Sequence, residues 1–255
     1  MKRIFAILIV ALLFNSCSND SDNNEVQPVN KSLNRQATGS SANDLLSDDK
    51  FKSILIELVY VEGLEPRQAT INNFVSFLTN LTFKPNGITV EKRSISSPGK
   101  AIYTIEEIAD IEREQRKHYN SIDEIAVWVL FIDGKSENDE DNTVVLGSAY
   151  WNTSFVIYEE TVQNLSDSPF ETNRTLLEST VINHEFGHIL GLTNLGSTMQ
   201  TEHEDEENPK HCNVESCLMY WESEVFRGRF NLLGMNNPPE LDAQCLADLK
   251  ANGGK

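Results

Sequence analysis

The chain has little positive charge, few cysteines and no long apolar run. It contains 21 Lys and Arg against 39 Asp and Glu among 255 residues, for a formal net charge of −18. An acidic surface of this kind disfavours binding to nucleic acid or to anionic lipid headgroups. A Gly-rich phosphate loop, a basic patch interleaved with aromatic residues and internal repeats are also missing from the sequence. We therefore expect no nucleic-acid partner, and we expect a monomer.

The apolar run at residues 4–14 is too short to span a membrane, because a spanning helix needs roughly 20 apolar residues. The run follows Lys2 and Arg3 and is followed by Cys17, which is typical of a secretory signal over residues 1–16. Residues 14–17 resemble a bacterial lipobox, which implies acylation of Cys17. We expect an outer-membrane or cell-surface lipoprotein of a Gram-negative bacterium that contacts the membrane only through this N-terminal lipid. A secreted or periplasmic protein is the alternative.

The stretch that follows Cys17 is polar as far as residue 49, with many Asn, Ser and Asp. Because such a segment cannot bury enough apolar surface to offset the entropy lost on ordering, residues 17–49 are predicted to be a disordered tether. Residues 50–255 are enough for one domain with a real core. We predict an upper part at residues 50–192 and a lower part at residues 193–255.

Hydrophobic patterns predict an alternation of strands and helices over the domain. The continuous apolar run at residues 126–132 is typical of a central strand that is buried on both faces. The predicted strands cover residues 51–61, 88–95, 126–132, 144–151 and 154–158, and the predicted helices cover residues 66–81, 103–119, 175–190 and a last segment after residue 238.

The centre of the chain's chemistry is a His-Glu-Phe-Gly-His motif in the third of these helices. His184 and His188 are four residues apart and therefore lie one turn apart on the same helix face, where both can bind one metal ion. Glu185 stays beside the metal without binding it and can take a proton from a water molecule that the metal activates. Zinc suits this set, because a catalytic zinc site uses three protein ligands, often imidazoles.

The motif extends in a way that resembles a known family. His184 to Leu192 is similar to the HExxHxxG core of the metzincin metalloproteases, and His211-Cys212-x4-Cys217-x-Met219 is similar to the closing motif of the archaemetzincins. The resemblance implies a zinc-dependent endopeptidase with a polypeptide substrate and one catalytic Zn²⁺. It also implies that Gly191 turns the chain and that Met219 supports the metal site from below.

The same resemblance implies a zincin-like α+β fold, a sandwich of α/β type. This fold has a twisted, mostly parallel five-stranded sheet with an antiparallel edge strand, an active-site helix and a small C-terminal subdomain. In the family, extended substrate pairs with that edge strand, a mode that backbone hydrogen bonding favours.

Two departures from the family pattern bear on metal binding. The position of the third ligand is Asn194, and the His-Cys pair arrives only at residue 211, as if a segment had been inserted. Because zinc prefers imidazole, His211 is the predicted third ligand, with His203, Asn194 or an acidic residue as alternatives. The later Cys-x-x-Cys pair that archaemetzincins use for a second zinc is missing from this sequence.

Two further expectations concern cysteines and calcium. An exported protein can hold a disulfide, and Cys212 with Cys217 is the first candidate pair. Cys245 can pair with either of them, or the thiols can stay free. The acidic loop at residues 136–142 offers carboxylates that suit Ca²⁺, although solvated surface carboxylates are the more common reason for such a loop.

Overall fold

A computed structural model describes residues 29–166, 173–227 and 235–255 of the chain. The predicted signal sequence and Cys17 lie outside these residues. The strands are β1 (Ser53–Val61), β2 (Ile88–Ile95), β3 (Ile102–Tyr103), β4 (Glu124–Ile132), β5 (Lys135–Ser136), β6 (Val144–Val145), β7 (Gly147–Trp151), β8 (Ser154–Tyr158) and β9 (Val225–Phe226). The α-helices are α1 (Ala42–Leu46), α2 (Gln68–Leu81), α3 (Ile105–Gln115), α4 (Glu159–Asn164), α5 (Arg174–Ile189) and α6 (Ala243–Ala251).

Five strands form one sheet in the order β2-β1-β4-β8-β7. The first four are parallel, and β7 pairs antiparallel with β8 at the edge. The fold class predicted from the sequence is confirmed: the protein is a mixed α/β structure with a mostly parallel sheet and an antiparallel edge strand. The most apolar strand, β4, lies in the middle, and its residues from Ile125 onward are buried, as expected for a strand covered on both faces.

Helices α2 and α5 pack together against the sheet, and aromatic rings fix α5 in place. Phe186 lies inside the His-Glu-Phe-Gly-His motif, and its ring centroid is 5.3 Å from that of Phe74 on α2 and 6.3 Å from that of Phe155 on β8. Edge-to-face aromatic pairs at these distances stabilise a contact beyond the area they bury. The apolar residue of the motif therefore holds the polar ones in position.

Residues 29–49 differ from the disordered tether predicted for them. Lys31–Asn34 form a 3-10 helix, and α1 places Leu45 and Leu46 in the main core, both fully buried. The Asn34 amide is also buried and donates to the carbonyl of Ala126 on the central strand (3.0 Å). The prediction failed because it rested on the polar composition of the whole segment. The burial of Leu45 and Leu46 and the hydrogen bond of Asn34 are enough to attach the segment to the core.

Helix α3 ends four residues earlier than the predicted residue 119. Arg116 leaves the helical conformation, and its buried guanidinium pairs with Glu112 (2.7 Å) and donates to the carbonyl of Ala126 (2.7 Å). The next two backbone N–H groups donate to the buried carboxylate of Glu57 on β1. These buried polar contacts need an extended chain, so they end the helix where hydrophobic periodicity alone would continue it.

Within the parts of the chain that the structure describes, no helix has the length and apolar character needed to cross a membrane.

Candidate metal centre

Helix α5 brings His184 and His188 together on one buried face. Their Nε2 atoms are 3.1 Å apart. The Nδ1 atom of His184 lies 2.8 Å from the carbonyl oxygen of Leu218, the residue directly before Met219. A proton on Nδ1 donates to this carbonyl and leaves the lone pair on Nε2, which is the arrangement a metal-binding histidine needs.

His211 joins the two helical histidines from a distant part of the sequence. Its ring centroid is 5.3 Å from that of His184 and 5.1 Å from that of His188. The chain between residues 194 and 211 leaves and returns at nearly the same point, because the Thr193 hydroxyl donates to the carbonyl of Lys210. Residues 194–210, here called the excursion loop, thus begin and end at nearly the same point, and His211 follows them next to His184 and His188.

The other two third-ligand candidates lie elsewhere. Asn194 has a left-handed backbone (φ 72°), is exposed, and donates from its side chain to Glu204 (3.2 Å). His203 is fully buried, and its Nε2 atom lies 3.5 Å from the Cys245 sulfur. The structure therefore brings together His184, His188 and His211 and leaves Asn194 and His203 outside that group.

Glu224 is a member of the cluster that the sequence analysis missed. Its carboxylate oxygens lie 3.1 Å from Nε2 of His211 and 3.6 Å from Nε2 of both His184 and His188. Although burial alone raises its pKa, hydrogen bonds with the three histidines hold the pKa of Glu224 well below its usual value. No spacing rule connects Glu224 to the motif, because it follows an irregular segment; the only sequence signal was the general option of an acidic ligand.

Glu185 is fully buried, and its carboxylate lies beside that of Glu224 and close to the backbone of Ala149 on β7. Burial and the negative charge of Glu224 raise the pKa of Glu185 well above its usual value. Burial also lowers the pKa of His188 to about 4, so this imidazole is neutral at neutral pH. Neutral imidazoles are the form that binds metal.

The donor set fits zinc. A tetrahedral zinc ion with Zn–N bonds of about 2.05 Å places its ligand atoms about 3.3 Å from one another. The imidazole and carboxylate atoms of His184, His188, His211 and Glu224 lie within 4.8 Å of one another, and the distances given above are 3.1 to 3.6 Å.

The predicted supporting residues lie directly against this cluster. Met219 is fully buried under α5, and a Cβ atom built on Gly187 of the motif would clash with the Met219 sulfur. Gly191 has a left-handed backbone (φ 76°), and a Cβ atom there would lie 2.6 Å from the backbone nitrogen of Ser197. Glycine is therefore needed at residue 191 both for its conformation and for the close approach of the chain.

The cluster opens into a small cavity beside the edge strand. The cavity has a volume of about 190 Å³ and is lined by His188, His211 and Glu224 on one side and by Ser148 and Ala149 of β7 on the other. Residue 146 interrupts the strand that the sequence predicts over 144–151, because the backbone nitrogen of Leu146 donates to the carbonyl of Glu224 (2.8 Å). The histidines and the edge strand thus share one cleft.

The predicted disulfide between Cys212 and Cys217 is absent from the structure. Cys212, Cys217 and Cys245 are buried free thiols. The sulfurs of Cys217 and Cys245 are 3.7 Å apart, well beyond the bonded distance of about 2.05 Å.

The acidic loop at residues 136–142 does not form a cluster of three or more converging metal ligands in the described chain. Its Asp139 instead accepts a hydrogen bond from the backbone nitrogen of Val145 (2.9 Å).

Comparisons with known proteins bear on the fold alone. No protein-family model and no curated protein matches the sequence. Among solved structures, the chain is similar to archaemetzincin from Methanopyrus kandleri, with a TM-score of 0.52 and 17% identity over 79% of this chain and 96% of that one. Metalloproteinase-II from Bacteroides fragilis gives a TM-score of 0.43 and 15% identity over 87% of this chain and 57% of that one. The chain therefore has an archaemetzincin-like fold.

Proposed function

We propose that the protein is a zinc-dependent endopeptidase. The observation that carries the proposal is the convergence of His184, His188 and His211 on one point, with the buried carboxylate of Glu185 next to Glu224 of the same cluster. Three protein ligands are the usual number in a catalytic zinc site, and a free carboxylate next to them is the usual proton acceptor of such hydrolases. The archaemetzincin-like fold supports the same reading.

In the proposed mechanism the imidazoles of His184, His188 and His211 would hold one zinc ion. When bound, zinc supplies Lewis acidity toward a carbonyl and lowers the pKa of water toward about 7. The Glu185 carboxylate accepts the proton of the attacking water and returns it to the leaving amine. The hydrogen bond from His184 Nδ1 to the carbonyl of Leu218 keeps that imidazole in the binding tautomer.

The proposed substrate is a polypeptide bound in extended form along β7. This strand is the antiparallel end of the sheet, and its Ser148 and Ala149 line the cavity that contains His188 and His211. An extended peptide that pairs with a sheet edge gains main-chain hydrogen bonds without any requirement on its sequence. A peptide bond that lies along this edge would cross the histidine cluster.

The test is digestion of a mixed peptide library by zinc-loaded protein. We expect internal cuts that Glu185→Gln reduces by roughly 10² to 10⁴, the usual contribution of a general base. Zinc content of the variant stays at the wild-type level, because Glu185 is not a ligand. Glu206→Gln, which changes an exposed carboxylate on the excursion loop, serves as the control. Wild-type protein that binds zinc but makes no cuts would overturn the proposal.

A second candidate function is a catalytically inactive surface-binding lipoprotein with a metzincin-like fold. Glu224 favours it, because its carboxylate completes four ligands around one point. Zinc sites closed by four protein ligands are structural, whereas catalytic sites keep one position open. In this reading the Glu185→Gln and wild-type proteins are equally inactive, while both bind zinc.

Export and lipidation of Cys17 are part of the proposal. They rest on the basic start, the apolar run at residues 4–14 and the small residue Ser16 before Cys17. Cys17→Ser is expected to abolish incorporation of labelled fatty acid and to release the protein from the membrane fraction. Equal labelling of the variant and the wild type would rule out Cys17 as the anchor.

A further inference from the structure

An exposed apolar patch lies where the described chain begins. Seven large apolar side chains are exposed in the described residues, and three of them lie here: Val29 is 54% exposed, Leu33 43% and Ile122 95%. Two reciprocal hydrogen bonds join Asn34 and Asn120 (2.7 and 3.1 Å), so the segment that carries Val29 and Leu33 lies beside the turn that carries Ile122. Single exposed apolar residues are ordinary, whereas a group of them marks a surface that binds something.

Cations and aromatic rings border these apolar residues. The Lys31 ammonium lies 5.0 Å from the centre of the Tyr119 ring, and the Arg35 guanidinium lies 5.8 Å from it. The same guanidinium is 5.4 Å from the ring of Trp151 at the end of β7 and donates to the Tyr119 hydroxyl (3.1 Å). Neither cation forms an ion pair with a carboxylate in the part of the chain that the structure describes. The three apolar residues and these two cations are here called the N-terminal patch.

The side chains of the N-terminal patch are of the kinds that rest on a lipid bilayer. Apolar side chains enter the boundary between headgroups and acyl chains, and Tyr and Trp favour the level of the headgroups. Lys and Arg attract anionic lipids. Because the chain as a whole is acidic, with a formal net charge of −18, an anionic bilayer would repel most of its surface and attract it at this patch.

The proposed lipid anchor keeps such a bilayer within reach. Cys17 precedes Val29 by 12 residues, and a segment of this length spans at most about 40 Å when fully extended. A domain held so close to its anchor meets the bilayer at a high effective concentration, so that weak contacts are enough to orient it. The length of chain before residue 29 therefore favours the anchoring bilayer as the occupant of the patch.

We propose that the N-terminal patch docks on an anionic lipid bilayer, the one that carries the lipid of Cys17. The proposal rests on the proposed lipidation for the identity of that bilayer, and it goes beyond an attachment through the lipid alone. A lipid chain together with an apolar, basic patch is an attachment by two signals, which is more stable than either signal by itself.

Docking on this patch brings the metal cleft close to the bilayer. Trp151, which lies against Arg35 of the patch, is the last residue of β7, and Ala149 of the same strand lines the cavity with His188 and His211. Two residues of a strand span about 7 Å. The polypeptides that the cleft meets are therefore those at the membrane surface.

Vesicles of phosphatidylethanolamine and phosphatidylglycerol test the patch apart from the lipid. The mature chain from residue 17, prepared without lipid, is expected to sediment with them weakly, and salt should weaken this binding further. Ile122→Asp should lower the partition constant about tenfold or more, because an isoleucine no longer leaves water. Leu246→Asp is the matched control, since Leu246 is also exposed (40%) but lies on α6. Equal binding of the three proteins, or none, would overturn the proposal.

The lipidated chain tests the orientation of the domain. An environment-sensitive fluorophore on Ile122→Cys should emit at shorter wavelength in these vesicles and should be quenched by brominated lipids, whereas the same label on Leu246→Cys should show neither effect. The native cysteines of the domain are buried and stay unlabelled. A label at residue 122 that reports water in anchored protein would overturn docking and leave the anchor standing.

Two further results separate this proposal from its alternatives. Vesicle binding that Ile122→Asp weakens, in a chain whose Cys17 takes up no fatty acid, would support the patch and count only against the anchor. Dimers that form with concentration and are abolished by Ile122→Asp would assign the patch to a second copy of the chain and overturn the proposal. Neither measurement depends on peptide cleavage, so failure of the proposed protease is seen separately.

Discussion

At the scale of single residues, Glu224 decides whether the histidine cluster is open or closed. Its carboxylate lies within 3.6 Å of the Nε2 atoms of all three histidines. Catalysis therefore requires Glu224 to leave the fourth position. If Glu224 occupies that position in about nine of ten molecules, Glu224→Ala raises kcat/KM for peptide cleavage about tenfold, because the competent fraction rises by that factor. Glu206→Ala, on an exposed part of the excursion loop, is the control.

A lower kcat/KM in Glu224→Ala at unchanged zinc content would contradict this role and would make Glu224 a contributor to catalysis. Inactivity of both proteins would favour the closed, structural reading of the site.

Gly147 at the start of β7 allows α5 to approach the edge strand. A Cβ atom at this residue would lie 2.7 Å from Oε1 of Glu185 and 2.8 Å from a methyl group of Val181. Gly147→Ala is expected to destabilise the protein by roughly 1–3 kcal/mol, as overpacking does. It should also lower kcat by about 10², because displacement of a catalytic group by about 1 Å has effects of that size. Thermal unfolding and peptide-cleavage rates test the two effects.

Retained zinc in Gly147→Ala would show that the loss comes from the position of Glu185 and not from loss of the metal. Unchanged activity would mean that Glu185 tolerates the shift.

The sequence predicted those site residues whose spacing follows from helix geometry. His184, Glu185 and His188 are neighbours on one helix turn, so their proximity needed no tertiary structure. His211 required a choice among candidates, because the sequence does not reveal that residues 193 and 210 meet. Glu224 could not be predicted, because its position depends on the path of an irregular segment and on its contact with Leu146.

At the scale of elements, residues 29–49 belong to the folded domain, although their polar composition predicted a disordered tether. Leu46 on α1 is fully buried in the core, whereas Leu33 in the preceding 3-10 helix is 43% exposed. We expect Leu46→Ala to lower the free energy of unfolding by about 2–5 kcal/mol, the usual cost of truncating a buried leucine. Leu33→Ala should cost well under half of that. Chemical denaturation of the two variants measures the difference.

A disordered tether would make both leucine variants equal to the wild type. The sequence could not distinguish a disordered tether from a folded segment, because the few leucines in this polar stretch do not form a periodic pattern. The strands were easier to predict, since a continuous apolar run such as residues 126–132 is typical of a strand that is buried on both faces of a sheet. Helix α3 was predicted too long because its end is set by buried contacts of Arg116 and Glu57, and hydrophobic periodicity does not report those.

At the scale of the whole molecule, the upper sheet and the lower segment differ in what stabilises them. β1 and β4 are long, paired on both sides and almost completely buried. The described parts of residues 203–251 contain only a short 3-10 helix (Trp221–Ser223), the two-residue strand β9 and α6. The proposed zinc site draws His211 and the neighbouring Glu224 from this lower segment. A bound metal ion would therefore supply there part of the stability that regular structure and apolar burial supply in the sheet.

We expect chelation to release the lower segment before the sheet. Zinc at about 1,000 times its dissociation constant stabilises the protein by roughly 4 kcal/mol per site, and removal of the ion withdraws that contribution. Hydrogen exchange followed by mass spectrometry should then increase first at residues 203–227 and 235–249, while β1 and β4 remain protected. Added zinc should restore protection and added calcium should not. A uniform rise along the chain would mean that the two parts unfold as one unit, and an unchanged pattern would mean that no metal stabilises the fold.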